Sequence, residues 1–230
     1  MSSFRQPVGS PLPNWTPARE IPKSEITGRY CRISPLIVAK HSADLFASFS
    51  KDREGSLWTY LPYGPFQDFN EYQKWLGEIS RNPDPFFYTL FDLKSEKAIG
   101  VFALMRIDQS VGSIEIGHVA FSPELKRTRL ATEAVFLAMQ AVFQRGYRRF
   151  EWKCDSLNEA SNKAALRFGF QFEGCFRQDR VYKKRSRDTN WYSIIDREWP
   201  SLEAEYQRWL NPENFNNDGQ QITVLDTKFL

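Results

Sequence analysis

Asn158 and Ser161 stand three residues apart in 155-DSLNEASNKAALRFGF-170, a spacing that puts both on one helix face. Asn158 offers an amide donor and acceptor, and Ser161 a hydroxyl able to give a proton to a leaving group. The same residues also suit a helix start, with Asn158 or Ser156 as the cap and Ser161 as a surface hydroxyl. Glu115 lies between Ile114 and Ile116 in 113-SIEIGHVAF-121. It reads either as a proton acceptor whose pKa burial raises, or as a carboxylate salt-bridged across a sheet. A third group is basic: Ser122-Pro123-Glu124-Leu125 leads into 126-KRTRLA-131 ahead of a long apolar-striped segment. Free N–H groups and partial positive charge at a helix start, joined by Lys126, Arg127 and Arg129, suit a pyrophosphate. A solvated basic turn with Thr128 as an ordinary N-cap fits the same letters.

Periodicity predicts the elements that position these groups. A strand over Arg29–Ile33 and a helix over His41–Phe49 precede a helix over Asp68–Arg81, with Phe69, Tyr72, Trp75, Leu76 and Ile79 at helical spacing. The period then falls to two over Phe86–Leu93, Ala98–Ile107 and Ser113–Phe121, as in successive antiparallel strands. Thr128–Arg145 is the longest helix, with Leu130, Ala134, Leu137, Ala138, Ala141 and Val142 on one stripe and Gly146 as its stop. In the strand Arg148–Cys154, Phe150, Trp152 and Cys154 share one face and Arg149, Glu151 and Lys153 the other. A helix over Asn158–Phe168 ends at Gly169; strands over Phe170–Glu173, Phe176–Tyr182 and Asn190–Ile195 and a helix over Ser201–Trp209 follow. The alternation gives a mixed α/β (α+β) class.

Prolines at 7, 11, 13, 17 and 22 make residues 1–25 an extended arm, pinned by Trp15. Residues 26–210 form one domain, and 211–230 a polar tail that leaves it, with a short strand possible over Ile222–Phe229. No run reaches the ~18 apolar residues of a membrane span, and no hydrophobic signal opens the chain, so the expected compartment is the cytoplasm. Three dispersed cysteines and two histidines argue against a disulfide framework or a metal centre. A net charge of +3 is too small for a dedicated nucleic-acid binder.

The order 113-SIEIGHVAFSPELKRTRLATEA-134, followed by 158-NEASNKAALRFGF-170, resembles the GNAT superfamily, specifically its RimJ/RimL-like N-acetyltransferases, over about residues 28–200. The resemblance implies a mostly antiparallel mixed sheet with helices on both faces, and transfer of an acetyl group from acetyl-CoA to a primary amine, with no metal. It further implies that backbone groups of Val119, Ala120 and Phe121 bind the pantetheine arm and polarise the thioester carbonyl. The turn Lys126, Arg127, Thr128, Arg129, Leu130 and Ala131 would cradle the pyrophosphate, Asn158 would touch CoA or a water, and Ser161 would protonate the sulfur. Arg129 departs from the family's glycine, so the turn either avoids positive φ there or is strained, and cofactor binding is weakened unless its guanidinium contacts phosphate. Ala165 stands where many members have a tyrosine acid.

Nothing local to Cys154 or Cys175 activates a thiolate, so direct attack on the thioester is expected. His118 alternates onto the face of Ile114, Ile116 and Ala120, as a packed, hydrogen-bonded residue in preference to a catalyst, the catalytic role being the outside alternative. In 57-LWTYLPYGPF-66, Trp58, Tyr60, Tyr63 and Phe66 either line an acceptor pocket or cap the core. The basic hairpin 183-KKRSRD-188 suits an acidic acceptor or plain solvation. The acceptor is a small molecule or a protein N-terminus, and the oligomeric state is not encoded legibly. Two other classes remain: a non-catalytic acyl-CoA sensor, for which Arg129 speaks, and an RNA- or ribosome-associated binder using the basic clusters, which the charge disfavours.

Overall fold

The computed structural model describes residues 6–228. Eight strands form one sheet: β1 Ile26–Thr27, β2 Cys31–Pro35, β3 Phe86–Asp92, β4 Ala98–Asp108, β5 Ser113–Phe121, β6 Arg149–Asp155, β7 Gln171–Tyr182 and β8 Arg185–Ile195. Their spatial order is β1-β2-β3-β4-β5-β6-β8-β7. Every neighbouring pair is antiparallel except β5–β6, which is parallel. That exception requires a crossover, supplied by α3 (Arg129–Phe143).

Helices cover both faces. On one, α1 (Val38–Phe49) and α2 (Phe69–Ile79) pack Leu45, Phe49, Tyr72 and Leu76 on Phe91, Val101 and Ala120. On the other, α3, α4 (Glu159–Arg167) and α5 (Trp199–Trp209) enclose the larger core around Phe102, Ile114, Ile116, Phe150 and Tyr206. The predicted single stripe on α3 is too narrow: Ala131–Met139, Ala141 and Val142 are all buried. The sheet lies on one side of α3, and Trp199 and Tyr206 of α5 stack on Phe136 on the other. Glu133 in its midst accepts from the N–H groups of Arg29 and Tyr30 at 2.7 Å and of Cys31 at 2.8 Å, tying β2 to α3. A Cβ on Gly28 would meet that carboxylate at 2.6 Å, so the close approach needs glycine.

Several boundaries differ from the sequence expectation. The strand expected over Arg29–Ile33 begins at Cys31, and Arg29 and Tyr30 ahead of it bond Glu133 through their N–H groups. The two short strands at 170–182 are one irregular strand, with register shifts at Phe172/Gly174 and Phe176/Arg180. β8 begins at Arg185, which puts Arg185 and Arg187 in the strand and leaves Lys183 and Lys184 at the tip.

The tail does not leave the domain. Asn214 bonds Trp209 O at 3.0 Å, Phe215 packs on Tyr30 and Trp209, and Leu225 is buried. No strand forms over the described part of 222–229; the isolated bridge nearby, Phe215 to Gln221, falls just before it, and Phe229 lies outside the described residues. The arm is fastened too, by Trp15 Nε1 donating to Ser110 O (3.1 Å) and by buried Ala18 and Ile21. Among the described residues no helix is long and apolar enough to cross a membrane.

Candidate active site

β5 and β6 run together only from Ser113/Arg149 to Ile116/Trp152, whereas β5 continues to Phe121 and β6 to Asp155. Beyond Ile116 the strands fork. Alternate backbone N–H and C=O groups of residues 117–121 therefore face a gap and need a partner from elsewhere. A bulge sits at the same place: Ala103 pairs with Gly117 but Val101 with Ala120, and His118 has φ 50°. The extra residue inverts the alternation. Val119 and Phe121 join Ile114 and Ile116 on the α3 core, while Ala120 joins the α1–α2 core. The expectation that His118 shares a face with Ile114 and Ile116 is thereby corrected; its ring lies against Tyr63 and Phe87.

Ser161 stands at the fork. Its Oγ accepts from Trp152 Nε1 at 3.0 Å, and Trp152 is the β6 partner of Ile116. Because an indole nitrogen only donates, this bond does not use the Ser161 proton, which has the Cys154 sulfur as a neighbour. Asn158 caps α4, its Oδ1 accepting from Ser161 N at 3.1 Å. The cap uses the amide oxygen and leaves Nδ2 for a ligand, so the capping and binding readings are compatible. Cys154 Sγ lies 3.1 Å from Asn162 Oδ1, and burial pushes its pKa up, which opposes a thiolate. Ala165 is fully buried in the core.

Glu115 is held across the sheet. Arg106 and Lys153, the latter at 2.9 Å, both meet its Oε2, and Lys153 also binds Glu151 at 2.7 Å beneath the Trp191 ring. The salt-bridged arrangement of Glu115 is therefore present. Sequence reasoning missed Arg106, because a left-handed residue (φ 50°) turns it out of the β4 alternation. Lys153 was legible on the charged face of β6, but its partner on β5 was not.

The turn before α3 has Thr128 as N-cap, with Oγ1 3.3 Å from Ala131 N. First-turn N–H groups of Arg129 and Leu130 have no helical acceptor. Exposed Lys126 and Arg127 have no carboxylate partner among the described residues. Arg129 avoids positive φ, and the left-handed residue of the turn is Arg127 (φ 62°). Arg129 opens the helix, and its guanidinium lies 4.1 Å from the Tyr30 ring centroid and 5.1 Å from that of Phe215. The missing glycine thus imposes no left-handed backbone strain at position 129. Arg167, which sequence reasoning missed, is a further guanidinium here with no carboxylate partner among the described residues. It bonds Thr132 Oγ1 at 3.0 Å and lies over Trp209.

The profile described as "Acetyltransferase (GNAT) domain" matches residues 32–171, more than half of the chain. The chain belongs to the GNAT acetyltransferase family. A GCN5-related N-acetyltransferase from Brucella melitensis is 46% identical, covering 93% of this chain and 97% of that one, with a TM-score of 0.91. A probable GNAT acetyltransferase from Chromobacterium violaceum is 45% identical over 86% of this chain and 100% of that one, with a TM-score of 0.80. Among curated proteins, the ribosomal-protein-serine acetyltransferase of Escherichia coli (strain K12) is 35% identical over 109 residues, 45% of this chain. That match spans 58% of the relative's length.

In this GNAT chain the four aromatics of the loop before α2 do different work. Trp58 and Phe66, with ring centroids 5.1 Å apart, belong to the α1–α2 core. Tyr60 leaves them to donate to Leu157 O at 3.0 Å, and Lys183 Nζ donates to Trp58 O at 2.7 Å. The loop is thus joined to both the β6–α4 turn and the β7–β8 tip. Tyr63 reaches His118 Nδ1 at 2.9 Å. Burial foremost, then Arg106, pushes the His118 pKa from 6.5 down to about 4.

The acetyltransferase should accordingly lose stability as pH falls from about 6.5 to about 4. In that window the unfolded chain takes up a proton that folded His118 refuses. His41, also shifted down by burial, adds in the same direction. Thermal melts of wild type and His118→Asn between pH 7.5 and 4 measure the His118 share, and a smaller acid loss is expected in the variant.

Proposed function

We propose that this GNAT chain transfers acetyl from acetyl-CoA to a primary amine by direct attack, the favoured acceptor being a protein N-terminus that begins with serine. The observation that carries the reading is the fork of β5 and β6, with Ser161 at its edge and the α3 turn at its end. An extended amide-bearing chain such as pantetheine fits the gap because residues 117–121 present unmatched donors and acceptors. The Lys126–Ala131 turn suits the pyrophosphate, with free helix N–H groups and unpaired cations. N–H groups near Val119 and Ala120 polarise the thioester carbonyl, and Ser161 protonates the departing sulfur. The serine acceptor is supported by the Escherichia coli relative's name, since the amine a serine residue offers is the α-amino group of a chain start. Cytoplasmic residence belongs to this reading, in keeping with three free cysteines.

Calorimetric titration of acetyl-CoA into wild type and Asn158→Ala tests the donor. Asn158→Ala should weaken binding about tenfold, the loss of roughly one hydrogen bond. Thiol release with Ser-initiated peptides and with small amines tests the acceptor. Folded protein that binds no acetyl-CoA would overturn the reading.

A further inference from the structure

The proton of the attacking amine needs an acceptor, and on the α1–α2 face of the fork Glu115 already has Arg106 and Lys153 on one oxygen. His118 lies on that face, two residues beyond the last β5–β6 pair. Its ring is parallel to Tyr63, with centroids 5.7 Å apart and planes 5° apart, and 5.3 Å from Phe87. The aromatic contacts occupy the ring, and Nδ1 lies 2.9 Å from Tyr63 Oη. Nε2, on the other edge of the ring, has no hydrogen-bond partner among the described residues.

We propose that His118 meets the acceptor amine and takes its proton at Nε2, while Nδ1–H donates to Tyr63 Oη and fixes the tautomer. The proposal rests on the acetyltransferase reading above. The bulge is what makes the role available, because regular alternation would bury this ring in the α3 core. Ser161, bonded to the β6 partner of Ile116, stands beside the same fork, so the two proton-handling groups flank the gap.

The charged group acting on His118 is Arg106 from β4; Arg106 is itself paired with Glu115 of β5, which also holds Lys153 from β6, while Tyr63 is held as a neutral phenol by burial. With its pKa near 4, the imidazole is unprotonated at neutral pH. In the transfer, the amine lone pair forms the C–N bond and the C–S bond breaks. The nitrogen's proton, acidic only once that bond forms, goes to Nε2, and the sulfur takes the Ser161 proton. Water then receives the His118 proton and restores that of Ser161, so one proton moves from nitrogen to sulfur overall.

The protein contains two histidines, His41 and His118, so nitrogen-15 histidine labelling with His118→Asn as the assignment control reads the ring directly. Asparagine tolerates the left-handed backbone at this position. Expected are an Nδ1–H tautomer in wild type, unchanged acetyl-CoA affinity in His118→Asn, and a kcat about a hundredfold lower with a Ser-initiated peptide. In His118→Gly, added imidazole should restore part of the rate. An Nε2–H tautomer, or His118→Asn turnover within about twofold of wild type, overturns the proposal while leaving the acetyltransferase reading intact. Wild type that neither binds acetyl-CoA nor releases thiol overturns both. The tautomer is read on wild type, so it decides even where a variant fails to fold.

Discussion

Ser161→Ala is expected to lower kcat by about two orders of magnitude while leaving acetyl-CoA affinity within about twofold. Its hydroxyl accepts from Trp152 Nε1 at 3.0 Å and retains a proton to give. Alanine removes that proton without moving the α4 backbone, which Asn158 caps from outside the helix. Leaving-group protonation acts in the transition state, so the loss belongs in kcat rather than in cofactor binding. Steady-state thiol release together with calorimetry separates the two. A fall in affinity matching the fall in rate would make Ser161 a binding residue instead. The loss should also shrink as the thioester's leaving thiol becomes more acidic, because such a thiolate departs without help.

Glu133→Ala should be the most destabilising single substitution at the border of the site, by about 3–5 kcal/mol. The carboxylate accepts three backbone N–H groups at 2.7–2.8 Å, two of them from the segment ahead of β2 and one from its first residue. Alanine leaves three donors unsatisfied, in a place where the tight approach of Gly28 gives water little room. Glu133→Gln should cost less, since its one amide oxygen still accepts. Urea unfolding at pH 7 measures both. Because Glu133 is buried on the second turn of α3, some loss of acetyl-CoA affinity should accompany the unfolding of β2 from the helix, and it should be reversed by conditions that restore stability.

The reach and the limit of the sequence are clearest along β5 and the elements beside it. Alternation located Ser113–Phe121, and the faces of β6 were assigned correctly, since local side-chain period depends on the backbone and not on neighbours. Spacing put Asn158 and Ser161 together at one helix start, and the basic turn before α3 followed from cap and charge. These are short-range properties, and the amino acids within a few positions determine them.

The face of His118 was not legible. One left-handed residue inverts every side chain after it, and whether a strand bulges depends on the register of β4. The same holds for Glu115, whose partners Arg106 and Lys153 arrive from two other strands. Arg129 was read as a question of backbone freedom, but its environment is a tertiary one, the rings of Tyr30 and Phe215 from opposite ends of the chain. Polar composition sent residues 211–221 away from the domain, whereas Asn214 and Phe215 found partners on Trp209 and Tyr30. The sequence by itself determined most of the elements, the family and a set of candidate residues for chemistry, through local period and motif. Tertiary structure alone decided which of them meet, because register, bulges and long-range charge pairs are set by chain segments far apart in sequence.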